Sequence, residues 1–222
     1  MSMLRLLYCA FLVALPAAAE EAPRPLPPPA SDESRHADAP EVAVLSGGCY
    51  WGMQAIFEHV RGVKSVMAGF SGLSASAEDQ LIHSSAGKPS EAVRIEYDPA
   101  QITYGQILQV YFSAAHDPTQ VDRQGPDVGP QYRSAIYYGN DDQKKIAEAY
   151  IAQLQSAHAF SGSIATQVVP LIAFHRVAVS QQDYVQKNPA SSYVMHVDMP
   201  RLAALKVLFP AIYLDPPLTY SD

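Results

Sequence analysis

An α/β fold of the α+β kind, a two-layer sandwich in which a mixed sheet with a split βαβ (ferredoxin-like) core carries helices on one face, follows from three features of the chain. Apolar strand runs and helical runs succeed one another in the order strand, helix, strand, strand, helix, strand. The stretch "EAVRIEYD" (91–98) alternates Val93, Ile95 and Tyr97 against Arg94 and Glu96, the period of a half-buried strand. The stretch "DDQKKIAEAYIAQLQSAH" (141–158) is a helical run with Asn140 placed to cap it.

The other elements are read in order. "EVAVLSGG" (41–48) is an apolar strand ending in glycine, and from Cys49 the spacing of Trp51, Ala55, Ile56 and Val60 fits one face of a helix of about three turns. "GVKSVMAGFSG" (62–72) reads as a second strand, followed by a polar stretch from Leu73 to Lys88 without periodicity. "ITYGQILQVYFSAAH" (102–116) sets Ile107, Leu108, Tyr111 and Phe112 at helical spacing. Proline, glycine and aspartate make "DPTQVDRQGPDVGPQ" (117–131) a loop, and "YRSAIYYG" (132–139) a strand after it. "ATQVVPLI" (165–172) is a last strand weakened by Pro170. Pro189, Pro200, Pro210, Pro216 and Pro217 leave the C-terminal part as a short helix or two and a wrapping tail.

The chain of 222 residues, 48% hydrophobic and 17% charged, suits one domain over 41–222. Residues 1–19 have the form of a secretory signal peptide: Arg5, an apolar run from Leu6 to Leu15, and Ala17–Ala19 as a cleavage site of the A-x-A type. An uncleaved anchor is the competing reading, but the run is shorter than the roughly 20 residues a spanning helix needs. The expected location is the periplasm or cell envelope. Residues 20–40, with Pro23, Pro25, Pro27, Pro28 and Pro29, read as a disordered polyproline spacer. The formal charge of −7 becomes −8 without Arg5, which excludes an electrostatic footprint for nucleic acid or anionic lipid.

If Cys9 leaves with the signal, Cys49 has no partner in its own chain. It stands in "GGCYWG" (47–52), where a strand gives way to a helix, so free N–H groups and the helix dipole are expected to lower its pKa below about 8.5. A nucleophile and a small buried hydrophobe stand level on that local geometry. Tyr50 and Trp51 fit a pocket for an apolar group such as a methyl, or ordinary core packing. The histidines are scattered without a metal-ligand pair at helical spacing, and no nucleotide loop or Cys-x-x-Cys pair occurs, so no metal and no bound cofactor are expected. His116 is read as part of a structured loop beside the site.

"GGCYWG" resembles the "GCFWG" signature of the peptide methionine sulfoxide reductases of the A type. The resemblance continues in order through "SEAVRIEYDP", "QITYGQILQVYF", "AHDPTQVDRQGPDVGPQYRSAIYY" and "QKKIAEAYIAQL", covering residues 41–190. It implies reduction of methionine (S)-S-oxide, with Cys49 attacking the sulfoxide sulfur and Glu91 as the acid that protonates its oxygen. It implies that Tyr50 and Trp51 hold the methyl and that Asp127 and Tyr132 orient substrate and stabilise the oxygen. Oxidised proteins or peptides, or free methionine sulfoxide, are the implied substrates, and a monomer is expected.

Departures from the family pattern are equally specific. "GFSGL" stands for "GYxGG", Asp79 falls where the family has an active-site tyrosine, and "GKPS", with Lys88, stands for "TGHA" before the acid. Near Ala178, "VAVSQQDY" replaces "AExYHQ", which is read as removing a Glu, a Tyr and a His from the neighbourhood of the site. Loss of one preorganised donor costs about a hundredfold in rate. No C-terminal cysteine exists to resolve a sulfenic acid, so an external thiol reductant, thioredoxin-like or another dithiol, is the implied partner. Two other functions compete: a weakened relative that binds oxidised methionine, and a peroxide-reactive thiol protein.

Overall fold

A computed structural model of the protein describes residues 21–36, 39–72 and 89–220. The expectations for the signal segment, Asp79 and Lys88 fall outside the described residues. No helix among those residues is long and apolar enough to cross a membrane.

The sheet is built from β1 (Glu41–Ser46), β2 (Val63–Ser71), β3 (Ser90–Tyr97), then, past a two-stranded hairpin of β4 (Arg123–Gln124) and β5 (Asp127–Val128), from β6 (Ala135–Tyr138), β7 (Gln167–Pro170) and β8 (Phe174–Arg176). Its spatial order is β7-β6-β1-β3-β2-β8. Helix α1 (Tyr50–Glu58) joins β1 to β2, which are split by β3; α2 (Tyr104–Val110) lies on the path from β3 to β6, which are split by β1. This is the expected split βαβ core. Pairing within it is antiparallel, and only β7 joins parallel, to β6. Pro170 is tolerated because it ends an edge strand whose other side has no ladder to complete.

Side chains alternate across the strands as the sequence requires. Ala43 and Leu45 enter the main core with Val93, Ile95, Met53, Ile56, Phe57, Ile107 and Tyr111, whereas Val44, Ala92, Ala135 and Tyr137 form a smaller cluster apart from it. Helix α3 (Asp141–Ser156) begins as expected, with Asn140 accepting from Gln143 N at 2.8 Å, and buries Ile146, Ala147, Tyr150 and Leu154 along one face. The run 102–116 is helical but not uniform: α2 has a Thr103–Gln106 capping box and passes into a π-helical turn, Tyr111–Ala115. The strand expected from Tyr132 starts only at Ala135, because Pro130–Tyr132 form a 3₁₀ turn.

The proline-rich stretch is a strap on the domain where a free spacer was expected. Its proline carbonyls are free acceptors: Pro27 O takes the Tyr150 hydroxyl at 2.7 Å and Pro28 O takes Gln153 Nε2 at 3.0 Å, while Leu26 is buried in the main core. Further on, Asp32 and Glu33 accept the N–H groups of Gly105 and Tyr104 at the start of α2, at 2.9 and 2.6 Å. Two carboxylates thereby satisfy donors that the helix cannot satisfy itself. Glu33 also gathers with His36 and Glu41 at the end of β1 remote from Cys49, the one His/Cys/Asp/Glu group among the described residues that is compact enough to hold a metal ion.

The C-terminal segment is helical and wraps as expected. It comprises a 3₁₀ turn (Val179–Gln181), α4 (Tyr184–Lys187), a π-helical turn (Val194–Asp198) and α5 (Met199–Leu208).

Candidate active site

Strand β1 delivers the chain to Gly47, Gly48 and Cys49, and Cys49 is the N-cap of α1. Gly48 takes a left-handed φ of +105°, and a Cβ there would stand 2.6 Å from Gln124 Cγ. A Cβ on Gly47 would meet the His116 ring at 2.8 Å. Both glycines are therefore close-approach positions that let the loop after α2 lie against the nucleophile turn. The His116 ring is fixed by Ser134 Oγ at 2.8 Å and Tyr111 O at 3.1 Å. Burial depresses its pKa to about 3, so His116 is a neutral packing group.

The first-turn amides of α1 are shared between two groups. Tyr50 N donates to Glu91 Oε2 at 3.0 Å, and the Trp51 amide favours the charged form of the Cys49 sulfur without a side-chain capping bond to it. Glu91 lies on β3 opposite Phe70 of β2, with the Cys49 thiol beside its carboxyl. Burial raises the Glu91 pKa to about 7, against the Tyr50 amide and the nearby thiol, and Asp127 adds to the rise.

The expected low pKa of Cys49 is reversed. Burial pushes the thiol up, Glu91 pushes it further, and Asp198 and Asp127 add to both; the Trp51 amide alone opposes them. The helix N-terminus is present as expected, but one of its amides is committed to Glu91, and three carboxyl groups face the sulfur. Above about pH 7 the resting pair is thus a neutral thiol beside a carboxylate.

The structure brings the remaining candidates together. The Tyr132 hydroxyl is held up by burial, then by Glu91 and Asp127, which places it among the carboxyl groups. Asp127, on β5, accepts a short hydrogen bond from the Tyr193 hydroxyl. Tyr50 packs edge-on against Trp51 and Phe70, with ring centroids 6.2 and 5.8 Å apart, and its own hydroxyl is raised to about 12 by burial and Glu91.

Four supporting residues come from the C-terminal wrap and were not singled out from the sequence. Tyr184 stacks on Trp51 at 3.6 Å and 8°, Gln181 accepts from Trp51 Nε1 at 3.2 Å, Tyr193 meets the Trp51 ring edge-on at 6.0 Å, and Asp198 lies against Gly52. The stretch "VAVSQQDY" therefore refills the neighbourhood it was expected to empty: Gln182 additionally bonds Gln54 and Ala68 N at 3.0 and 2.8 Å. A glutamine and a tyrosine at those positions were visible in the sequence, but nothing local links them to Trp51.

A thiol and a carboxyl that share one proton, lined by an aromatic pocket and backed by phenol and carboxyl groups, suit attack on an electrophilic centre whose leaving oxygen needs that proton. Comparison with known proteins agrees. Residues 41–209 match the family described as peptide methionine sulfoxide reductase. The chain is 42% identical to "Peptide methionine sulfoxide reductase MsrA 2" of Mesorhizobium japonicum over 84% of this chain and 96% of that protein. It is 48% identical to a protein of the same name from Synechocystis, over 73% of this chain and 76% of that one. The solved structure of methionine sulfoxide reductase A of Corynebacterium diphtheriae superposes with a TM-score of 0.55 at 30% identity, over 77% of this chain and 86% of that one. A domain in which the nucleophile turn, the acid strand and the wrap all fall within the matched span is thus an oxidoreductase of the peptide methionine sulfoxide reductase family.

Proposed function

We propose that the protein reduces methionine (S)-S-oxide in proteins or peptides at Cys49, with Glu91 carrying the proton and an external thiol restoring the enzyme. The observation that supports this reading is the juxtaposition of the Cys49 thiol and the Glu91 carboxyl at the first turn of α1, where the Tyr50 amide holds the carboxyl. Transfer of the thiol proton to the carboxylate gives a thiolate and a carboxylic acid at once. The thiolate attacks the sulfoxide sulfur while Glu91 protonates the oxygen, so neither group needs a proton from solvent. Oxygen passes to Cys49 as a sulfenic acid; the methionine sulfur gains two electrons and the cysteine sulfur loses them.

Tyr50 and Trp51 form the wall for the methyl, and Asp127 and Tyr132 face the oxygen and the backbone of the substrate. Cys49 is the one cysteine outside the proposed signal segment, so the sulfenic acid condenses with an external thiol, releasing water, and a second thiol frees Cys49 as a disulfide forms. A thioredoxin-like or other dithiol fits that role. The composition of residues 1–19 supports export, and we place the working monomer in the periplasm or cell envelope.

The test is methionine released from a peptide carrying the S epimer of methionine sulfoxide, with excess dithiothreitol and Cys49→Ser as control. Multiple turnovers, lost in the control, are expected. One equivalent of methionine or less would overturn the catalytic reading in favour of a binding relative.

A further inference from the structure

The geometry points to Asp198 as a positioning residue for the Cys49 site: a carboxyl seated on the first turn of α1 whose ionisation holds the thiol in its unreactive form. Asp198 is 1% exposed, and neither of its side-chain oxygens has a hydrogen-bond partner. Its Oδ1 lies 2.3 Å from where a Cβ on Gly52 would stand. The carboxyl therefore occupies the volume that a side chain at Gly52 would fill, which gives a reason for glycine inside a helix, where it is otherwise disfavoured relative to alanine.

The charged and titratable groups around it can be named by element. Cys49 faces it from the α1 turn, Asp127 from β5, Tyr193 from the turn that carries it, and Arg201 from α5. Only Arg201 favours the ionised form. A buried carboxylate without a hydrogen-bond donor is costly, so the group keeps its proton until neutral pH: burial raises its pKa to about 7, Asp127 adds to the rise and Arg201 opposes it. Glu91 differs, because its charge is met by the Tyr50 amide at 3.0 Å. When Asp198 loses its proton, an uncompensated negative charge appears beside the turn that has to stabilise the thiolate.

This inference rests on Cys49 being the nucleophile of the proposed reaction, so its test reads the thiol without any sulfoxide. The rate of Cys49 alkylation by iodoacetamide is followed from about pH 5.5 to about pH 8.5 in the wild type and in Asp198→Asn. The ratio of variant to wild type is expected to grow by about 3- to 10-fold between the two ends, because only the wild type gains the opposing charge. A ratio that stays constant with pH overturns the inference, since a packing role alone would alter both ends alike.

Should Asp198→Asn fail to fold, Arg201→Gln on α5 serves as the second variant. Removing that positive charge is expected to move the Asp198-dependent step in the alkylation profile to higher pH by about 0.5. No movement, or movement to lower pH, overturns the inference. If alkylation behaves as expected while no methionine is released from the sulfoxide peptide, the coupling stands and the proposed reaction falls.

Discussion

The nucleophile turn, residues 47–52, and the C-terminal wrap, residues 177–208, meet at Trp51 and Gly52 yet contribute in opposite ways. The turn supplies the sulfur, two amide donors and two aromatic rings within six consecutive residues. The wrap supplies no group that we place in the reaction; Gln181, Tyr184, Tyr193 and Asp198 act through Trp51, Asp127 and the α1 turn. The turn brings the reacting sulfur, whereas the wrap brings the precision with which the turn's aromatic rings and helix start are held.

That contrast can be broken most severely on the chemical side. Glu91→Gln keeps an acceptor for the Tyr50 amide but cannot carry the proton, and kcat/KM is expected to fall at least about 100-fold. The same variant changes the pH profile. In the wild type, below about pH 7 both Glu91 and Cys49 are protonated and the thiol has no acceptor; above it the pair holds one proton and reacts. The rate of the wild type relative to Glu91→Gln is therefore expected to rise through about pH 7, the ionisation of Asp198 being common to both, as stopped assays of the two across pH will show.

On the supporting side a smaller effect is expected. Tyr184→Ala removes the ring stacked on Trp51, an interaction worth about 0.5–1.5 kcal/mol beyond buried area, and should raise KM about 3- to 10-fold with a lesser change in kcat. A fall in kcat as deep as that of Glu91→Gln would show that the wrap takes part in the chemistry and would erase the distinction.

The smallest effect on activity is expected at Glu58, where the far end of α1 meets the wrap. Its carboxyl is 1% exposed, accepts from Gln186 Nε2 at 2.9 Å, and is raised to about 8, first by burial. A carboxyl with a raised folded-state pKa binds its proton more tightly when folded. Its contribution is complete below the unfolded value and is lost as pH climbs through about 8. Glu58→Gln should thus leave turnover nearly unchanged and raise Tm at pH 8 by about 2–6 °C, with little gain at pH 5, by calorimetry.

How much of this was legible in the sequence follows from the range of the forces involved. The split βαβ order, the Asn140 cap and the strand-to-helix placement of Cys49 are set by neighbours a few residues apart, and all are present. The spacer reading failed because it counted prolines as unable to pack and overlooked their carbonyls as acceptors for Tyr150 and Gln153. The acidity of Cys49 failed for a related reason: the helix dipole is visible in "GGCYWG", but Asp127 and Asp198, which outlie it in sequence, are not. Resemblance brought Glu91, Asp127 and Tyr132 to the site; no local pattern would have done so. Gly52 was the one available sign of Asp198, since a glycine within a helical turn marks a close approach without naming what approaches.

Gly47, Gly48 and Gly52 each leave room for one side chain, from His116, Gln124 and Asp198 respectively. The sulfur's turn is thus closed on one side by a segment far along the chain, and without residue 198 in place that side is open. Undocking of the C-terminal segment alone, with the sheet intact, is expected to bare the thiol, read as Cys49 alkylation at denaturant concentrations that leave the sheet signal unchanged.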